Sequence, residues 1–261
     1  MTMLLRAIER GPVERGGRAP ALAMTHGLFG RATNLATVQK RLAEHRRVLA
    51  LDLRNHGGSP HVPGMTYPEM AADVVETLAS LGAAPCDLLG HSMGGKVAMA
   101  VALRHPGTVR RLIVADIAPV RYRSEFNAYI AAMRGMRLFP GITRADADAA
   151  LAPAVPDPSV RAFLAQNLMT GREPRWTVGL EEIAAGLYDI LDWPIPDGRF
   201  EGPVLFLTGG RSRYVREEHH DAIRALFPAV RFAALPTAGH WLHADDPEGF
   251  VAAVEEFLSL P

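Results

Sequence analysis

The chain has 261 residues, 28 basic and 28 acidic side chains and one cysteine; that suffices for one large α/β domain with an insertion, and zero net charge provides no field toward nucleic acid or an anionic membrane surface. A lone cysteine, Cys86, excludes an intramolecular disulfide scaffold, and no stretch approaches the roughly 18 uncharged apolar residues of a membrane-spanning helix. Arg6, Glu9 and Arg10 stand near the N-terminus without an apolar core before a small-residue cleavage site, so no signal peptide is expected and a cytoplasmic monomer or homodimer is.

Met1 to Arg18 reads as one or two lead-in strands turning at Gly16-Gly17. Short apolar runs then predict strands at Ala21 to Thr25, Val48 to Leu53, Cys86 to Gly90 and Leu112 to Ala115, each ending in a loop rich in Gly, His, Asn or Asp. Between the second and third, Thr66-Tyr67-Pro68-Glu69 is a capping box that opens a helix through Leu81, with Gly82 as its stop. Strands alternating with helices predict a mostly parallel sheet flanked by helices.

After Pro119 the character changes. Glu125 to Met133, Ala145 to Leu151, Ser159 to Met169 and Leu180 to Leu191 have helical patterns, with no strand-like run among them. A segment of about 70 residues is too long for a loop in a compact domain, so residues 120–195 are expected to form an all-helical cap, with 1–119 and 196–261 as the core. Alternation resumes with a strand at Pro203 to Thr208, a helix near Glu217 to Leu226, a strand at Arg231 to Leu235 and a closing helix from Pro247 to Leu258.

Gly90-His91-Ser92-Met93-Gly94 is a G-x-S-x-G pattern. It has meaning between a strand and a helix, because the serine must sit on a strained turn that lifts its Oγ out of the sheet. Cys86 to Gly90 supplies the strand and the alanine-rich Lys96 to Arg104 the helix, while Gly90 and Gly94 let the two backbones approach. A serine hydroxyl, protonated at neutral pH, needs a base. Of ten histidines, His240 follows the last predicted strand, where the base of such a site belongs. His91 is expected to point away from Ser92, His243 to be structural and His219-His220 to be solvated; no metal and no cofactor is expected.

A carboxylate must hold the imidazole in its useful tautomer. Its usual place is the loop after Pro203 to Thr208, but there the chain carries Ser212. The preceding core strand ends at Asp116, on the carboxyl edge of the sheet. Asp116 is the candidate acid, with Asp189, Asp192 and Asp221 as alternatives. Oxyanion donors are assigned to the backbone N–H of Met93 and, within His26-Gly27-Leu28-Phe29-Gly30, that of Leu28, with Phe29 as the alternative. Leu28, Phe29, Met93 and Trp241 are the candidate substrate-binding residues. Met133, Met136, Leu138 and Phe139 either line the pocket from the cap or form the cap's own core. The polar turn from Asp52 to Ser59 is assigned a loop-shaping role, and Cys86 a place in the core.

Together, His26 to Gly30, Asp52 to Gly57, Gly90 to Lys96, Asp116 to Pro119 and Ala238 to His243 resemble the α/β-hydrolase superfamily. Within it they are most similar to the small esterases and thioesterases of the YbfF type and of the abhydrolase domain-containing protein 11 type. The resemblance implies an eight-stranded, mostly parallel sheet with a helical lid, a Ser92, His240 and Asp116 triad, and a small-molecule acyl ester or acyl thioester substrate. Cofactor-free haloperoxidase or perhydrolase chemistry, which uses the same triad, is the alternative activity. A non-catalytic protein holding a small ligand under the lid is the alternative outside enzymes.

Overall fold

The computed structural model describes residues 3–12, 20–123, 126–195 and 197–260. Strands β1 (Ala7–Arg10) and β2 (Leu22–Thr25) lead through helix α1 (Ala36–Leu42) to β3 (Val48–Leu51), and α2 (Tyr67–Ser80) leads to β4 (Cys86–His91). Helix α3 (Met93–Arg104) and β5 (Val109–Ala115) follow. The chain then forms α4 (Phe126–Gly135), α5 (Arg144–Leu151), α6 (Pro158–Ala165), short strands β6 (Leu168–Met169) and β7 (Arg175–Trp176), α7 (Leu180–Ala185) and α8 (Leu187–Leu191). It closes with β8 (Val204–Gly209), α9 (His220–Leu226), β9 (Val230–Leu235), α10 (Leu242–Asp245) and α11 (Pro247–Ser259).

Among the described residues the main sheet has seven strands in the order β1-β3-β2-β4-β5-β8-β9, one fewer than the resemblance implies. The expected turn at Gly16-Gly17, where a second lead-in strand would lie, is outside the described residues. Within this sheet, among the described residues, only the β1–β3 pair is antiparallel. Side chains alternate along each strand: Leu22, Met24, Val48, Ala50 and Leu89 join the core under α1 and α11, while Ala23, Leu49, Leu51 and Leu88 join the core under α2 and α3. Both faces are covered, which is why the strands read as continuous apolar runs.

Helix α2 begins at the Thr66 capping box as expected: the Thr66 N–H donates to Glu69 at 3.0 Å, and the Glu69 N–H reaches back to the Thr66 hydroxyl at 3.4 Å. Its stop, Gly82, has a φ of 58°.

The segment between β5 and β8 is not all helix. The helix expected through Met169 ends at Ala165, and Leu168 and Met169 pair with Trp176 and Arg175. Leu164, Ala165 and Leu168 are all buried whichever backbone connects them, so a run this short satisfies helical spacing although its last two residues are strand. The helix expected over Leu180 to Leu191 breaks at Gly186, where a Cβ would lie 2.4 Å from that of Met65.

The winding of the sheet places the functional loops. From β2 the chain moves outward to β3, then crosses back to β4 on the other side of β2. The carboxyl ends of β2 and β4 flank the point of reversal, where α/β sheets form their binding crevice. Loop 26–30 leaves β2 there and Ser92 leaves β4.

Candidate active site

Ser92 sits between β4 and α3 with φ 53° and ψ −123°, a strained conformation for a residue with a side chain. The glycines around it are sterically required. A Cβ on Gly90 would stand 2.1 Å from the Gly94 carbonyl oxygen, and one on Gly94 2.5 Å from the His26 carbonyl oxygen. The Ser92 N–H is bonded to the Ala115 carbonyl at 3.0 Å, tying the turn to β5.

His240, in the loop after β9, brings Nε2 to 3.0 Å from Ser92 Oγ and Nδ1 to 2.7 Å from Asp116 Oδ2. Asp116 is fully buried and, like Ser92, has a positive φ of 53°. Its Oδ1 accepts the Gly209 N–H at 3.2 Å and its Oδ2 also accepts the Ser212 hydroxyl. Ser212, at the position where a carboxylate is expected, therefore donates to the Asp116 carboxylate, which leaves the neighbouring strand. Tyr214 lies flat against the His240 ring, with centroids 3.9 Å apart and planes inclined by 18°. Asp189, Asp192 and Asp221 make no such approach to His240 among the described residues.

His91 makes a contact that the expectation of its pointing away from Ser92 did not include. Its Nε2 meets the carbonyl of His240 at 2.7 Å, and since a carbonyl only accepts, that nitrogen carries the proton. The His91 ring packs 4.8 Å from both His240 and His243, and burial pushes it well below the usual imidazole range. A single histidine preceding the serine gives no pattern in sequence from which this contact could be read.

The loop after β2 is held from several sides. Asp52 accepts the N–H groups of Ala32 at 2.6 Å and Gly58 at 2.9 Å, and pairs with Arg6 at 3.0 Å. Arg54 forms a two-pronged pair with buried Asp73 at 2.6 and 2.9 Å. The loop-shaping assignment of Asp52 to Ser59 is thus what the contacts describe. His56 Nε2 accepts the Phe29 N–H at 3.1 Å, which removes Phe29 as an oxyanion donor. Among the described residues the N–H groups of Leu28 and Met93 have no protein acceptor.

Ser92 and His240 open into a cavity of about 600 Å3. Of the candidate substrate-binding residues Leu28, Phe29 and Trp241 line it; Met93 does not, because its side chain is buried beneath the turn in the core shared with α2. From the segment between β5 and β8, Phe126, Tyr129, Val160, Phe163 and Leu164 form the apolar part of the wall, and Arg123, Asp157 and Ser159 line it as well. Met133, Met136, Leu138 and Phe139 are not part of it: Met133 is core, Met136 and Leu138 pack against Ile142, Ala147, Ala165 and Leu168, and Phe139 is exposed. Cys86 is buried at the start of β4, its thiol pushed up to about 12 by burial, which leaves it unreactive. Among the described residues no group of three or more His, Cys, Asp or Glu could hold a metal ion, and no helix is long and apolar enough to cross a membrane.

Residues 20–247 match the family model described as alpha/beta hydrolase fold. The chain is 42% identical over 249 residues to the mouse protein named sn-1-specific diacylglycerol lipase ABHD11, covering 92% of this chain and 81% of that one. It is 33% identical over 240 residues to Esterase YbfF of Escherichia coli strain K12, covering 91% and 92%. A solved structure called marine microorganism esterase superposes with a TM-score of 0.91 at 32% identity, over 98% of this chain and 99% of that one.

Proposed function

The chain belongs to the α/β-hydrolase family, and we propose that it is a carboxylic ester hydrolase working through an acyl-enzyme on Ser92. The observation that carries this reading is the imidazole of His240 held between Ser92 Oγ at 3.0 Å and Asp116 Oδ2 at 2.7 Å. As Oγ attacks the ester carbonyl, His240 Nε2 takes the serine proton, and Asp116 holds the resulting imidazolium through Nδ1–H. The tetrahedral oxyanion accepts hydrogen bonds from the Met93 and Leu28 N–H groups. His240 then protonates the departing alkoxide, leaving an acyl-serine. Water attacks that ester, giving its proton to His240, and the acid departs as Ser92 recovers its own.

The names of the mouse relative and of the two esterases support esters as the substrate class. The apolar stretch of wall from Phe126, Tyr129, Val160, Phe163 and Leu164 and a volume of about 600 Å3 suit a small to medium acyl chain, and acyl thioesters are the second class on which to measure activity. We assign residues 120–195 the role of a cap that roofs the acyl chain with Phe126, Tyr129, Val160 and Phe163. Ser92→Ala is expected to abolish both hydrolysis of p-nitrophenyl esters and labelling by a fluorophosphonate. A folded Ser92→Ala variant with full activity would refute the mechanism. Relative kcat/KM over p-nitrophenyl esters and acyl-CoA thioesters of graded chain length would fix the substrate class.

A further inference from the structure

His26 is buried just ahead of the loop that carries Leu28, and both of its ring nitrogens are engaged. Nε2 accepts the Leu53 N–H at 3.0 Å, so it carries no proton. Nδ1–H donates to the Gly27 carbonyl at 2.8 Å, and the Gly30 N–H reaches the same oxygen at 2.9 Å. The Gly27 carbonyl and the Leu28 N–H are the two ends of one peptide unit. That unit is planar and trans, so its polar ends point in opposite directions and fixing one aims the other. The peptide lies against the nucleophile: a Cβ on Gly27 would be 3.1 Å from Ser92 Cβ and 3.6 Å from Ser92 Oγ. On its far side Phe29 is pinned at both polar groups, its N–H by His56 at 3.1 Å and its carbonyl by Asn167 Nδ2 at 2.8 Å.

We propose that His26 is a positioning residue for oxyanion stabilisation: locked in its Nδ1–H tautomer by the Leu53 N–H, it turns the Gly27–Leu28 peptide so that the Leu28 N–H faces the oxyanion formed at Ser92. The inference rests on the serine-hydrolase reading above. His26 transfers no proton. Burial keeps its ring neutral, and a proton on Nε2 would oppose the Leu53 N–H.

Amide side chains separate the two halves of the imidazole. Asn places an N–H near the position of Nδ1 and can donate to Gly27; Gln places its amide near Nε2 and can accept from Leu53; Phe keeps a ring and does neither. His26→Phe and His26→Gln are expected to lose about a hundredfold in kcat on p-nitrophenyl butyrate with KM within about threefold, the signature of a donor lost in the transition state. They should lose a similar factor in affinity for an alkyl boronic acid, which forms a tetrahedral serine adduct. His26→Asn should return to within about tenfold of the unaltered enzyme. Equal activity of the Gln and Asn variants, or a loss confined to KM, overturns the proposal. The unaltered enzyme provides a measurement that no folding defect can obscure: long-range proton–nitrogen NMR at pH 7.5 should show His26 protonated at Nδ1 and bare at Nε2. The Nε2–H tautomer or an imidazolium would overturn it. Ser92→Ala, assayed alongside, keeps the two ideas apart. If it is fully active, the serine-hydrolase reading fails; if it is inactive while the three His26 variants keep their kcat, the role of His26 alone fails.

Discussion

Lowering the pH from 7 to 5 should destabilise this protein by about 4 kcal/mol through two buried histidines alone. Burial is the main cause at both sites, pushing His56 down to about 3 and His243 down to about 4 from an ordinary 6.5. Around His56 stand His26 and His61, which oppose a proton, with Asp52 and the Arg54 carbonyl, which favour one. Around His243 stand His240, opposing, and Asp245, favouring, with the His91 ring packed against it, and its buried Nδ1 has no hydrogen-bond partner among the described residues. In the unfolded chain each ring gains a proton as the pH drops through about 6.5; in the folded protein it does not until about 3 to 4. The unfolded state therefore binds more protons between those limits, and stability falls as pH falls. At pH 5 the deficit is about 2 kcal/mol per group, against a typical total of about 5–15 kcal/mol. His26 and His91, also lowered by burial, add to the loss, while Asp73 and Asp87, raised chiefly by burial, offset part of it. Urea unfolding at pH 7 and pH 5 measures the difference. His243→Phe, which preserves a ring beside His91 and Phe250, should remove about half of the contribution from the pair. Equal unfolding free energies at the two pH values, or a difference untouched by His243→Phe, would refute the reasoning.

Asp116→Asn should lower kcat by about four orders of magnitude, because an amide turned either way sets an NH2 group against His240 Nδ1–H or the Gly209 N–H, while Asp189→Asn and Asp192→Asn should leave kcat within about threefold. Steady-state kinetics on one p-nitrophenyl ester decides this. Ser212→Ala removes one of three donors to the same carboxylate and should cost about tenfold in kcat; a loss below about twofold would show that the hydroxyl is idle. Gly90→Ala forces a methyl to 2.1 Å from the Gly94 carbonyl oxygen and should destabilise the fold by about 3 kcal/mol, read as a drop in the melting temperature.

The parts of the site legible in the sequence are those fixed by one local geometry. Ser92 needs an elbow, the elbow needs Gly90 and Gly94, and these fall within five consecutive residues; His240 follows the last strand of an alternating pattern. The loop also singles out Leu28 and Phe29 as candidate donors, but the engagement of the Phe29 N–H by His56, 27 residues away, has no sequence period. Between β5 and β8 the break in strand alternation was legible and the packing was not. The helices there are short, and the residues that line the cavity share helical spacing with those packed inside the segment, so periodicity could not separate Phe126, Tyr129 and Phe163 from Met133. The burial of His91 beneath His240 joins residues 149 apart and left no signal.

The acid is the member of the site whose position is least constrained, for a reason visible in the sheet. The nucleophile cannot leave its elbow, and the base must approach Oγ from one side; the acid needs only to present one oxygen to Nδ1. Two neighbouring strand ends can do so. Strands β5 and β8 run in parallel with Ala115 opposite Leu207, so Asp116, the next residue, leaves the sheet beside the start of the loop that carries Ser212. The Asp116 N–H bonds the Leu207 carbonyl at 2.9 Å, and its positive φ of 53° turns the side chain toward His240. A left-handed backbone at a non-glycine residue persists only where its surroundings over-determine it. Here they do: β8 holds the Asp116 backbone through Leu207 and one carboxylate oxygen through Gly209, and the loop after it holds the other through Ser212. The loop after β8 thus still serves the acid without containing it, by supplying donors to a carboxylate that the adjacent strand provides.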